Sequence, residues 1–380
     1  MKIAIISDVW TPIVGGWQVH VENLCKSLIR NYNVEIDLFV RSLRWGDGRI
    51  YDQDEVLLKW KLRVVRCGSP KDFFYFPERI HSIFGIFLRI IKENKVQKYK
   101  LIHAQAFLWL LSGKFASMYL RIPILWTVHG ANLLDKWDKT PLYYIEKFLL
   151  TQIKYNTLIT VGSSFLKYPN VNKNIVVIPN GVNIEEFDRI NISPREDIYK
   201  ILFVGRLEWT KGIDILIEAV RKIDRSILDE KNVEFHIIWY GYQENEYKKL
   251  VKKYNLEKYI QFKWKITWEN LIKEYKESSL FVLPSRTEGF GITLIEAMIS
   301  RIPVIATRCG WPEDTIEDWV NGFLIEKENI EELSGKIIEF IEWKIENLDE
   351  MVESGYKKVV ENYTWDRVGD MTFSEYTKVV

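Results

Sequence analysis

Leu280-Phe-Val-Leu-Pro-Ser-Arg-Thr-Glu-Gly-Phe-Gly-Ile-Thr-Leu-Ile-Glu-Ala-Met298 holds three local structures in a row. The apolar run Leu280 to Leu283 reads as a buried strand. Pro284 and Ser285 end it. Gly289 and Gly291 permit a tight turn and a close approach of backbone to a ligand. From Ile292 the periodicity is helical. The order strand, glycine turn, helix places unpaired helix N–H groups at a strand's C-terminal end, where anions bind. Two carboxylates frame the turn. Glu288 precedes the helix, and Glu296 lies about two turns inside it among Ile292, Leu294, Ile295, Ala297 and Met298. A carboxylate in that company needs a partner. Two acceptors for hydroxyls on either side of an anion-binding turn is one reading. A dipole-stabilised Glu288 and a Glu296 that reaches to solvent is the other.

The same alternation recurs along the chain. Lys2 to Ser7 reads as a buried strand, followed by Gly15-Gly16 and an amphipathic helix over Val19 to Ile29. His20 lies just past this second glycine turn, where a structural histidine is the ordinary expectation. Further strands are expected at Val34–Val40, Leu62–Cys67, Lys100–Ala104, Ile122–Val128, Thr157–Val161 and Val176–Ile178. Beyond Glu185–Tyr199, read as a linker, they recur at Lys200–Gly205, Val233–Trp239, Leu280–Leu283 and Pro303–Thr307. Helical patterns alternate with them, which predicts parallel sheets of the α/β class. His129 follows the strand Ile122–Val128, at the sheet end where open α/β folds place ligands. Arg206 and Lys211 stand five residues apart at the end of Lys200–Gly205. A guanidinium fork and an ammonium in that place suit a diphosphate; a solvated basic pair is the plain alternative.

Glu288-Gly-Phe-Gly-x4-Glu296, preceded by Pro284-Ser285, resembles the E-x7-E motif of the retaining family 4 glycosyltransferases, which have the GT-B fold. Arg206-Leu207 and Lys211-Gly212 are similar to that family's G-R-L-x-x-x-K-G signature, and Thr127-Val-His129-Gly130 to its active-site His segment. Pro179-Asn-Gly-Val-Asn183 resembles its P-N-G-V-D turn, with Asn183 in place of Asp. Gly310-Trp-Pro-Glu313 resembles its G-G-x-P-E loop, with Cys309 in place of the first Gly. The matches run in order from Gly15 to Glu313. The sequence departs from the pattern at Trp239-Tyr-Gly-Tyr-Gln243, where the family has G-x-G-P, and at Trp264, so the nucleotide base is not carried over.

The resemblance implies two Rossmann-like domains facing each other across a cleft. Residues 1–185 would form the acceptor-side domain and 186–362 the nucleotide-sugar domain, with 363–380 a helix crossing back. It implies a hexosyl transfer with retained configuration from a UDP- or GDP-linked sugar, with no cofactor and no metal. His129, Arg206, Lys211 and Glu288 are the implied catalytic residues. The implied donor contacts are Gly15, Gly16, Arg206, Lys211, Glu288, Gly289, Phe290, Gly291, Ile292 and Glu296. A glycan, a lipid-linked saccharide or a small molecule is the implied acceptor. A sugar-nucleotide epimerase and a phosphate-dependent disaccharide phosphorylase of the same fold are the competing readings.

Composition narrows the classes. The 380 residues suffice for two cores. A formal charge of +1 gives no basic excess of the kind nucleic-acid binders carry. Cys25, Cys67 and Cys309 are scattered and odd in number, which fits neither a disulfide framework nor a zinc site. The apolar start meets Asp8 too soon for a signal peptide. Arg89 interrupts the best apolar run, Ile83–Ile91, far short of the roughly 20 residues a span needs. A cytoplasmic location is expected, with the inner face of the membrane as a candidate surface. Phe73 to Lys92 mixes aromatics with Arg79, Arg89 and Lys92, which suits either a membrane-facing helix or a core helix. Asp52-Gln53-Asp54 has the D-x-D pattern of metal-dependent transferases but no apolar strand before it.

Overall fold

The computed structural model describes residues 1–7, 10, 16–44, 48–72, 76–105, 110–129, 141–163, 166, 170–195, 197–240, 244–264, 266–342 and 344–380. Gly15, Phe73–Tyr75, Gly130 and Gly241–Gln243, all singled out above, lie outside these. The chain divides into two compact units: Met1–Gly181 with Trp365–Val380, and Val182–Thr364.

The first unit is built on strands β1 (Lys2–Ile6), β2 (Glu35–Arg44), β3 (Ile50–Tyr51), β4 (Glu55–Leu57), β5 (Leu62–Asp72), β6 (Ile102–Ala104), β7 (Ile124–Val128), β8 (Thr157–Thr160) and β9 (Ile175–Val177). Its sheet runs in the order β4-β5-β2-β1-β6-β7-β8-β9, with β3 on β2. Only the short β3 and β4 pair antiparallel. Helices α1 (Gly16–Tyr32), α2 (Phe76–Val96), α3 (Leu110–Leu120) and α4 (Pro141–Gln152) make the crossovers. Side chains alternate across the strands and so feed two cores. Ile3 and Ile5 pack under α1 with Val21, Leu24 and Leu28. Ala4 and Ile6 pack with Ile83, Ile86 and Ile90 of α2, Ala116 of α3 and Leu149 of α4. The period-2 pattern of a strand buried on both faces sets this division.

The second unit holds α5 (Ile184–Asp188), β10 (Tyr199–Arg206), α6 (Ile213–Lys222), α7 (Arg225–Glu230), β11 (Val233–Tyr240), α8 (Glu244–Lys253), β12 (Ile260–Trp264), α9 (Trp268–Lys276), β13 (Leu280–Leu283), α10 (Ile292–Ile299), β14 (Val304–Thr307), α11 (Pro312–Thr315), β15 (Phe323–Ile325), α12 (Ile330–Ile341) and α13 (Leu348–Asn362). Its sheet, β12-β11-β10-β13-β14-β15, is parallel throughout. The last helix, α14 (Trp365–Val379), belongs to the first unit, where Phe373 stacks on Tyr32 of α1 at 3.8 Å.

Two stretches differ from the sequence reading. The linker expected at Glu185–Tyr199 begins with α5, whose fully buried Phe187 packs against Trp268 and Tyr275. The polar segment before Leu62 carries β3 and β4. Asp54 of the D-x-D pattern is committed there: it accepts from the Arg66 N–H at 2.9 Å and pairs with Arg89 at 2.7 Å. Those bonds give Asp54 a structural occupation.

Candidate functional site

The quoted stretch folds as β13, a turn, and α10, with β10 and its following loop alongside, because β10 and β13 are sheet neighbours. Lys211 ends a 3₁₀ turn over Trp209–Lys211. Gly212 then takes φ 67°, closing that turn and opening α6. A Cβ on Gly212 would overlap the Pro284 carbonyl oxygen. Glycine is therefore required both by the left-handed backbone and by the close approach. The Thr210 carbonyl accepts from the Arg286 N–H at 2.8 Å, so the two loops are bonded along their backbones.

This docking brings Lys211 to Glu288. The ammonium donates to Oε1 of Glu288 at 2.6 Å, and the Ser285 hydroxyl donates to the same oxygen at 2.9 Å. The pair is largely withdrawn from water, with 17% of the Lys211 and 5% of the Glu288 side chain exposed. Among the described residues nothing donates to the other oxygen, Oε2. Glu288 also bridges backbone to backbone with Gly310. The Glu313 carboxylate accepts from the N–H groups of Cys309 and Gly310 at 3.1 and 2.9 Å. Burial, reinforced by the negative Glu288, pushes the Cys309 thiol up to about 12. That removes it as a thiolate nucleophile at neutral pH.

Gly291 precedes α10, and no side chain caps this helix end. A Cβ on Gly291 would press into the Trp311 ring. Phe290 packs on that ring with centroids 4.2 Å apart. In the first turn of α10 the Ile292 N–H donates to the Phe290 carbonyl at 2.9 Å and the Leu294 N–H to the Gly291 carbonyl at 2.8 Å, so what this helix end offers an anion is chiefly the positive end of its dipole. Glu296 is turned to the inner side of the helix. It accepts from the Tyr275 hydroxyl at 2.8 Å and is 5% exposed. Burial raises its carboxyl to about 7, with the Tyr275 hydrogen bond acting the other way. The Arg206 Nη1 donates to Glu208 at 2.8 Å, and both side chains are exposed.

Arg286, passed over in the sequence reading, ties the region together. Its Nη1 and Nη2 fork onto Asp214 at 2.9 and 2.7 Å, Nη1 reaches the Trp209 carbonyl, and Nε bonds Glu328. Its guanidinium also lies over the Trp209 ring at 4.5 Å. Only a planar fork satisfies so many acceptors at once. The available signal was an Arg inside an otherwise site-forming turn, but its partner Asp214 is far away in sequence.

In the first unit, His129 ends β7. Its Nε2 bonds Gln105 Oε1 at 2.8 Å at the end of neighbouring β6. The His20 ring lies edge-on to it at 4.3 Å, so Gly16 and α1 bring His20 to His129. His103 continues the chain, bonding Thr127 at 2.7 Å and Tyr376 of α14 at 2.6 Å. Burial holds all three imidazoles neutral: His20 falls to about 4, His103 to about 3, and His129 well below its ordinary value. Neutral imidazoles donate and accept hydrogen bonds, and do not carry charge.

Comparison with known proteins gives this arrangement its context. Residues 14–186 match the family model for Glycosyltransferase Family 4, and residues 184–358 that for Glycosyl transferases group 1. An uncharacterized glycosyltransferase of Methanocaldococcus jannaschii is 28% identical over 97% of this chain and 95% of its own. The sucrose-phosphate synthase structure from Thermosynechococcus elongatus superposes with TM-score 0.79 at 20% identity, covering 99% of this chain and 98% of that one. Anabaena HepE, solved in complex with UDP and glucose, gives TM-score 0.73 at 18% identity over the whole of both chains. The consecutive family matches, with two parallel-sheet units of the GT-B class, establish that this chain belongs to the group 1 glycosyltransferases.

Proposed function

We propose that the chain transfers a hexose from a nucleoside-diphosphate sugar to a saccharide or lipid-linked acceptor, with retained configuration and without a metal ion. The observation that carries this reading is the Lys211–Glu288–Ser285 cluster beside the uncapped start of α10. Cleavage of the bond from sugar C1 to the diphosphate leaves positive character on the ring and negative charge on the leaving oxygen. Lys211 and Arg206 carry the positive charge that would meet the latter, with the positive end of the α10 dipole beside them. Glu288, its Oε1 already held by Lys211 and Ser285, offers Oε2 to a sugar hydroxyl. It serves as a positioner of the sugar, and Gly289, Phe290 and Gly291 shape the turn around it. Glu296 is assigned to the ribose hydroxyls. His129, neutral and oriented by Gln105, is assigned as a hydrogen-bond partner of the donor sugar. Gly16, the first residue of α1, and Gly15 before it in sequence are assigned to the donor side as well. The HepE complex with UDP and glucose favours UDP over GDP as the first donor to try.

The test is incubation with UDP-glucose and a panel of saccharide acceptors in the presence of EDTA, with the product's anomeric configuration read by NMR. The expected result is an α-linked product at an unreduced rate. Activity lost to EDTA and restored by Mn²⁺ would overturn metal independence. A β-linked product would overturn retention. A new sugar nucleotide formed without acceptor would identify an epimerase. Sugar phosphate released only with inorganic phosphate would identify a phosphorylase.

A further inference from the structure

We propose that the outer surface of α2, α3 and α4 docks on an anionic lipid bilayer. The inference stands independently of the transfer reaction. These three helices cover one face of the first unit's sheet, since Ile83, Ile86, Ala116, Leu149 and Leu150 share one core. They join successive parallel strands, so they run in one direction and lie in the order α2, α3, α4. Phe87 of α2 touches Phe115 and Tyr119 of α3 edge-on at 6.4 Å. Lys114 of α3 donates to the Lys154 carbonyl just past α4.

The inward faces of these helices are ordinary core. The outward faces are not ordinary surface. Phe84, Leu88, Met118, Tyr119, Tyr144 and Phe148 are each more than half exposed. Exposed apolar residues usually occur singly, and a cluster on adjacent helices marks an interaction surface. Phe84 and Leu88 are one helical turn apart, and Lys92 is the next residue on the same line. Arg121 and Lys154 follow the C-terminal ends of α3 and α4, so with Lys92 they rim one end of the layer. Lys147 stands exposed between Tyr144 and Phe148. Two acidic groups of these helices, Glu93 and Glu146, are turned away from this surface: Glu93 is held by Arg63 and Arg89, and Glu146 is buried.

An apolar field with a rim of one charge sign selects the partner. In a two-fold contact with a second copy the same patch faces itself, and the lysines and arginines would oppose one another. An anionic bilayer supplies both an apolar phase and negative head groups. No described helix is long and apolar enough to cross a membrane, so the contact is a peripheral one.

The test uses the full chain in flotation with vesicles of phosphatidylcholine alone and with about one-third phosphatidylglycerol. The expectation is at least about tenfold tighter binding to the anionic vesicles, reduced by salt. Leu88→Glu and Phe148→Glu should each weaken binding about fivefold or more, with an unchanged thermal midpoint. Lys92→Glu and Arg121→Glu should weaken it on anionic vesicles only. Leu88→Gln serves if the charged variant fails to fold. No binding to either vesicle would overturn the proposal. So would dimerisation abolished by Leu88→Glu without lipid binding. Equal binding to heparin with the apolar variants silent would reassign the patch to a soluble polyanion.

Discussion

Replacing Lys211 by Ala separates what the Lys211–Glu288 pair does for stability from what it does for the reaction. The Glu288 side chain is 5% exposed and would keep only the Ser285 hydroxyl. Removing one partner of a buried pair strands the other charge and typically costs 3–5 kcal/mol. Lys211 is 17% exposed, so the lower end applies, about 3 kcal/mol. For a unit the size of Val182–Thr364 that is a fall in thermal midpoint of about 6–12 °C. Glu288→Gln in the Lys211→Ala background removes the stranded charge and keeps an acceptor for Ser285. The double variant is therefore expected to be more stable than Lys211→Ala alone. Turnover should behave differently. Losing a group that stabilises the leaving diphosphate costs roughly 100- to 1,000-fold in kcat, and Glu288→Gln has no means of restoring it. Calorimetry and initial rates on the parent, Lys211→Ala and the double variant read both quantities. Near-normal turnover in Lys211→Ala would make the lysine purely structural. Failure of Glu288→Gln to recover stability would show that an unpaired carboxylate is not the cause of the loss.

Three further outcomes follow from the geometry. Glu296 titrates near 7 when folded against an ordinary 4.5. Between those values the unfolded chain has lost the proton that the folded chain keeps, so rising pH favours unfolding until about 7. Glu296→Gln should match the parent below pH 4.5 and exceed it by about 3 kcal/mol at pH 8; a pH-independent difference would contradict this. His20 and His103 shift the other way, to about 4 and about 3. Their contribution is complete above pH 6.5 and declines as pH falls toward those values, so in the Glu296→Gln background, where the opposing carboxyl is gone, a thermal midpoint that stays flat from pH 7 to 4 would refute their burial as neutral groups. Arg286→Lys keeps the charge but loses the fork on Asp214. We expect the Lys211 loop to loosen, with the donor KM raised severalfold and kcat changed less; an unchanged KM would reduce Arg286 to a stability element.

The alternation of strand and helix, the glycine turn at Gly289–Gly291, and the carboxylates at 288 and 296 were all legible because each is a local pattern. Lys211 was legible as a cation beside a strand end. Its bond to Glu288 was not, because it depends on β10 and β13 being neighbours while β11 and β12 intervene in sequence. The same holds for Arg286 with Asp214, Glu296 with Tyr275, and His129 with Gln105: each pairing is fixed by sheet order or helix packing. Arg206 and Lys211 were paired in the sequence by their spacing and charge, and their resting partners were not legible. In the fold the two point to different carboxylates, Glu208 and Glu288. Polar sequence also concealed structure. β3 (Ile50–Tyr51, 2 residues) and β4 (Glu55–Leu57, 3 residues) are too short to show a period, and α5 is signalled only by Ile184 and the buried Phe187.

The central claim is that a nucleoside diphosphate binds through Lys211, Glu288 and the start of α10 without a metal. Its most direct measurement is the thermal midpoint with UDP, GDP and ADP in EDTA, for the parent chain and for Lys211→Ala. A ligand that binds only the folded state raises the midpoint. The account requires a clear rise with one diphosphate in EDTA, and its loss in Lys211→Ala. No rise with any diphosphate, a rise that needs Mn²⁺, or an equal rise in the variant would contradict it.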